Sequence, residues 1–200
     1  MEKLKTKQRV LDAALELFST QGFEATSIAQ IADAVGVRKA SLYSHFDSKQ
    51  DILDCLIQSI MERYSSHPVR SLAGCVDAEL DPDGVVRLVT EQIRYTIHDP
   101  YVSRARKMLT IEQYRNPELA KLKTKQSYTD VLAFAEALME RLVASGRLKA
   151  FDTQVMAAQF AMPVSGWMAL CDREPEREDE VFELIERHIR QFFEVYKADE

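Results

Sequence analysis

The stretch Ser27–Phe46, SIAQIADAVGVRKASLYSHF, limits what this chain can fold into more than any other, because it spells two helices around a tight turn. Ser27 can cap a helix opening at Ile28, and Gln30, three residues on, can close a capping box. Gly36 ends that helix in the left-handed conformation that glycine adopts at least cost. A second short helix is expected from roughly Arg38 to Phe46. Ile31, Val35, Val37 and Leu42 fall where the two helices bury their shared angle, and Ala32 is small enough to let them cross closely. In units of this kind the second helix enters the major groove of DNA and the first crosses the backbone.

The residues left outward on the second helix suit a groove reader. Arg38 and Lys39 stand at its N-terminal end, Ser41 and Ser44 carry short hydroxyls, and Tyr43 and His45 can reach phosphate. Arg and Lys pair with guanine edges and serine contacts several bases, whereas phosphate contacts set register without reading sequence. A helical hairpin with a solvated basic end is the alternative on these residues alone.

The flanking residues carry a resemblance. RVLDAALELFSTQGFEATSIAQIA, VGVRKASLYSHF and DSKQDIL together resemble the DNA-binding domain of the TetR family of bacterial transcriptional regulators, over residues 5–53. The first-helix signature is Ala13, Ala14, Leu17, Phe18, Gly22 and Phe23; Thr26-Ser27 opens the next helix, and Leu42-Tyr43-Ser44-His45-Phe46, followed by Lys49, ends the motif. Ala40 stands where the family usually has Gly, and His45 where Tyr is commonest; both bear on operator choice rather than on the fold. The resemblance implies an all-α protein of about nine helices. Residues 1–47 would form the helix-turn-helix DNA-binding domain and 48–200 a helical ligand-binding and dimerisation domain. It also implies that Thr26, Tyr43, His45 and Lys49 contact phosphate with Ser27 beside them, while Arg38, Lys39, Ala40, Ser41 and Ser44 face bases.

The net charge of −6 is reconciled with an anionic partner by its distribution. Residues 1–50 hold seven Lys or Arg against six Asp or Glu, so the acidic excess lies beyond them. Lys3, Lys5, Lys7 and Arg9 load the first helix, and Arg38, Lys39 and Lys49 surround the reading helix, placing cations where phosphate would run. No apolar run approaches a membrane span and no secretory signal precedes Lys3, so a soluble cytoplasmic chain is expected. Cys55, Cys75 and Cys171 are odd in number and widely spaced, as free thiols in a reducing compartment are.

Beyond residue 53 the chain reads as successive helices. Ser48 can cap one carrying Ile52, Leu53, Leu56, Ile57 and Ile60, while Ser65–Leu80 is ambiguous. Asp81-Pro82, Asp99-Pro100 and Asn116-Pro117 each set a capping side chain before a proline at the first helical position. A long helix is expected from Pro117 to Gly146, then one from about Asp152 to Cys171 and one from Glu178 to Tyr196.

The last two helices carry a wide apolar stripe. Val155, Phe160, Val164, Trp167 and Met168 on one, with Phe182, Ile185, Ile189, Phe192 and Phe193 on the other, are the expected homodimer interface; Gly166 would let a partner helix approach. An internal helical pair in a monomer is the alternative. The resemblance favours a four-helix bundle between two chains, whose two-fold axis would present two reading helices to a palindrome. It also implies an effector pocket for an unknown small molecule among the central helices. Candidates to line it are Arg94, Tyr95, His98, Arg104 and Met108, with Tyr114, Tyr128, Phe134, Met162 and Trp167. Pro163 inside a helix bends it, either to open such a space or as a structural kink. No metal-ligand spacing, phosphate loop or nucleophile elbow is present, so neither cofactor nor catalysis is expected. The expected function is thus a sequence-specific regulator released from a palindromic operator by a ligand; a helical scaffolding dimer without specific DNA binding is the other reading.

Overall fold

The computed structural model describes the backbone of residues 2–66 and 80–198 and side chains of 5–63 and 80–198. The ambiguous stretch after Ser65, with His67 and Cys75, and the side chains of Lys3 and Tyr64 lie outside the described residues. Ten α-helices follow one another: α1 (Glu2–Gln21), α2 (Ile28–Val35), α3 (Lys39–Tyr43), α4 (Lys49–Ser66), α5 (Pro82–His98), α6 (Pro100–Glu112), α7 (Pro117–Thr124), α8 (Asp130–Ala144), α9 (Thr153–Arg173) and α10 (Glu178–Tyr196). A π-turn, Lys125–Thr129, joins α7 to α8 without a break, so nine separate α-helices result among the described residues. Among the described residues no strand forms; one isolated bridge pairs Leu148 with Lys197.

Start and stop signals explain most of these bounds. The Ser27 capping box is complete, with the Gln30 N–H donating to Ser27 Oγ (3.2 Å) and the Ser27 N–H to Gln30 Oε1 (2.7 Å). Gly36 takes φ +73, and its N–H and that of Val37 satisfy the last carbonyls of α2. Ser48 Oγ accepts the Asp51 N–H, Asp81 caps Gly84, Asn116 caps Glu118 and Leu119, and Asp152 caps Gln154 and Val155. Asp99, between α5 and α6, closes the former through its N–H to Tyr95 O. The second helix of the motif is shorter than expected. It ends at Tyr43 because Ser44 Oγ–H donates back to Ser41 O (2.7 Å), and Ser44 and His45 turn out of the helix.

The chain divides into two compact units, Met1–His67 with Pro100–Lys123 and Pro68–Asp99 with Thr124–Glu200. In the first, Leu15 and Phe18 of α1, Ile31 and Leu42 of the motif, Ile52 and Leu56 of α4, Met108 and Leu109 of α6 and Leu119 of α7 make one core. Packing therefore groups α6 and α7 with the motif, across the chain-order division at residues 47 and 48. In the second unit, Val85 and Ile93 of α5 join Leu138 and Leu142 of α8, Phe160 of α9 and Ile185, Ile189 and Phe192 of α10. Rings of Phe160, Phe192, Tyr196 and Phe151 run from this core to its surface at centroid spacings of 5.2, 4.6 and 5.8 Å. No described helix is long and apolar enough to cross a membrane.

Candidate nucleic-acid interface and effector region

The turn after α1 fixes where the motif stands. Gly22 adopts φ +85, a left-handed conformation open to glycine. The next residue is held from both sides: the Phe23 N–H donates to the Glu112 carboxylate (2.8 Å), and the Phe23 carbonyl accepts from Lys49 Nζ (2.7 Å). Lys49 also donates to Thr26 O (2.9 Å) and lies 4.2 Å from the centroid of the Phe23 ring. The Thr26 hydroxyl donates to Gly22 O (2.8 Å) and accepts from Gln21 Nε2 (3.0 Å), in a side chain only 1% exposed. A turn leaves carbonyls without helical donors, and buried ones must find others. Two of the expected phosphate contacts, Thr26 and Lys49, close this turn. Arg9 is likewise engaged, donating to Val35 O at the end of α2 (2.5 Å), and Lys7 Nζ stands 5.4 Å from the Phe46 ring centroid.

What faces outward agrees with a groove reader. Arg38, Lys39, Ala40, Ser41, Tyr43 and Ser44 are exposed around α3, Ser27 is exposed at the start of α2, and His45 is half-buried. Ile31, Ala32, Val35 and Leu42 fill the angle behind them, as their pattern required. Ser27 Oγ accepts a capping bond, which does not use the hydroxyl hydrogen, so it can cap and donate at once. The face thus offers a guanidinium, an ammonium, hydroxyls and a phenol on one short helix end.

The effector candidates do not converge. Arg104, Met108 and Tyr114 belong to the first unit: Arg104 pairs with Glu16, Met108 is core, and Tyr114 is 90% exposed. In the second unit, His98 bonds Glu178 (2.8 Å), and the Arg94 guanidinium lies 4.1 Å from the Phe182 ring centroid. Tyr95, Phe134, Met162 and Trp167 are half-buried, the last two against the unit's core. Arg94 lines an open cleft of about 440 Å³ with Val86, Thr90 and Glu186. Tyr128, within the π-turn, lines another of about 540 Å³ with Leu132, Val155 and Gln159. His188 is half-buried against Trp167, and its Nε2–H donates to Phe160 O (2.9 Å).

The expected dimer stripe is mostly occupied at home. Phe160, Val164, Phe182, Ile185, Ile189, Phe192 and Phe193 are buried within the single chain, because α5 and α8 already cover them. Trp167 and Met168 are half-buried and Val155 is exposed. A wide stripe cannot tell a neighbour in the same chain from one in another.

Sequence reasoning missed Glu112, whose partner lies 89 residues away, and the π-turn; nothing local in IEQYRNP marks the carboxylate as buried. Gly22 held the one trace of it, since a Cβ there would stand 3.0 Å from Glu112 Oε1.

Two helices crossing behind an exposed basic and hydroxyl-bearing end define a DNA-binding regulator of the helix-turn-helix class. Residues 10–56 match the family described as bacterial regulatory proteins, tetR family, and residues 85–198 match the AefR-like transcriptional repressor C-terminal domain. The HTH-type transcriptional regulator AcrR of Shigella flexneri is 47% identical over 51 residues, which are 26% of this chain and 24% of that protein. The likeness to such relatives therefore spans about a quarter of their length. The flavonoid-responsive regulator FrrA shares the fold at a TM-score of 0.61 and 26% identity, over 96% of this chain and 97% of FrrA. SmeT, repressor of a Stenotrophomonas maltophilia multidrug efflux pump, in complex with triclosan gives 0.68 at 20% identity, over 98% and 93%. The chain belongs to the TetR family of transcriptional regulators.

Proposed function

We propose that this protein is a homodimeric repressor that reads a palindromic operator through α3, is released by a small-molecule effector, and catalyses nothing. The observation that carries the reading is the exposed set Arg38, Lys39, Ala40, Ser41 and Tyr43 on a helix whose opposite side, Leu42, is fully buried against α2. Arg38 and Lys39 face bases, Ala40 and Ser41 complete the reading surface, and Ser27, Tyr43 and His45 contact phosphate. The AefR-like C-terminal match supports repression, and the flavonoid response of FrrA and the complex of SmeT with triclosan support an aromatic effector. Arg94 and Tyr128, each on an open cleft of the second unit, are the retained effector candidates.

The proposed dimer face lies outside the buried part of the stripe, because those residues are already covered within one chain. Gln159, Met162 and Gly166 of α9 repeat at helical spacing, as do Leu184, Gln191 and Val195 of α10, and all six are exposed or half-buried. A Cβ built on Gly166 meets nothing within 4 Å, so that side of α9 is open to a second backbone. Selection of bound duplexes from a random pool tests the function. A recovered inverted repeat is expected, with half-sites about one helical turn apart. Enrichment without a motif would leave a dimer that does not read sequence.

A further inference from the structure

The bond between Glu112 and Phe23 has no part in reading DNA, yet it joins two elements that the operator reading treats separately. Glu112 ends α6, is 2% exposed, and directs its carboxylate at one backbone N–H of the turn that leads into α2. A buried carboxylate is costly unless it is bonded, and bonds to a charged acceptor are the strong ones. The neighbouring geometry is built to admit it. Gly22 has no Cβ where one would stand 3.0 Å from Glu112 Oε1, and Ile111, one residue earlier, would lie 3.4 Å from the same point. Across the same residue, Lys49 of α4 takes the Phe23 carbonyl. Phe23 is thus gripped by an anion on its N–H and a cation on its C=O, each polarising the peptide group it holds.

We propose that Glu112 is a positioning residue for operator binding: its carboxylate sets the α1–α2 turn, and with it the start of α2 at Ser27, so DNA affinity depends on α6. The proposal rests on the operator reading given above and adds a residue that touches no DNA. Four bonds converge on the five residues from Gly22 to Thr26: Glu112 on Phe23, Thr26 on Gly22, and Lys49 on Phe23 and Thr26. Loosening the first frees the Phe23 peptide to rotate, and Ser27 follows four residues later.

The test uses the full chain, a duplex recovered by selection, and three proteins: wild type, Glu112→Gln and Glu112→Ala. Glutamine keeps an oxygen that can accept the Phe23 N–H; alanine leaves it unmet. Operator affinity should fall about tenfold in Glu112→Ala, the loss of one charge-assisted bond, and recover most of the way in Glu112→Gln. Amide exchange at Phe23 should accelerate in the alanine variant and stay near wild type in glutamine, at a temperature where circular dichroism shows both folded. Operator affinity of Glu112→Ala within about twofold of wild type, with faster exchange at Phe23, would overturn the proposal and leave Glu112 a stabilising contact only. Equal losses in both variants would overturn the role of the accepted bond. Recovery of no motif by wild type would instead sink the operator reading, and amide exchange at Phe23 would still show whether the grip exists.

Discussion

The two compact units bury apolar cores of similar make-up but are pinned differently. In the first, charged side chains reach backbone groups of turns: Arg9 holds Val35 O, Lys49 holds Phe23 O and Thr26 O, and Glu112 holds the Phe23 N–H. In the second, α8, α9 and α10 meet mainly through apolar and ring contacts, and bonds such as Arg190–Asp83 and His98–Glu178 lie at the surface. Directional bonds specify one geometry, which a reading head needs. Apolar packing specifies a buried area and accepts more than one partner. The difference suits the function proposed above, in which the first unit holds a fixed shape on DNA while the second would take up a ligand and a second chain.

The largest expected effect separates home packing from dimerisation. Ile189→Asp places a charge at a fully buried site and should unfold the second unit, seen as lost helical circular dichroism. Met162→Asp, on the open face of α9, should yield folded monomers by sedimentation. Folded monomers from Ile189→Asp would restore the buried stripe to the interface and erase the contrast.

Next in size, Lys49→Met tests whether the ammonium closes the turn. Stability should drop by about 1–2 kcal/mol in denaturant, since Lys49 is half-buried and its bonds are charge-assisted. Unchanged stability, with the salt slope of DNA binding reduced by about one, would return Lys49 to phosphate. Arg38→Ala should cost about 1–3 kcal/mol on operators carrying its preferred base and far less on random duplex. Equal losses on both would make it a phosphate contact. The smallest effect is at Gly36, where φ is +73 and a Cβ meets nothing within 4 Å. Gly36→Ala there should cost about 1 kcal/mol of stability through backbone strain alone.

Legibility in the sequence followed the same divide. The bounds of α2 and the starts of α4, α5 and α7 could be read because caps, Gly36 and Pro82 act within a few residues of where they stand, and α10 from its apolar period. The outward set on α3 was legible for the same reason: burial of Leu42 decides what remains outside. Thr26 and Lys49, read as phosphate contacts, also bond turn carbonyls, because a cation or hydroxyl in the right place for phosphate is equally placed to satisfy one. Ile185 and Ile189 show the other limit. Periodicity states that a face is buried, not by which chain. Glu112 was invisible because its meaning lies in a bond to a residue 89 positions away.

The most direct measurement is the ratio of affinities for the selected operator and for a random duplex of equal length, at physiological salt. The account predicts a ratio of at least about 10³, with both affinities falling as salt rises. Equal affinities across the salt series would contradict it, leaving a helical dimer with no sequence to read.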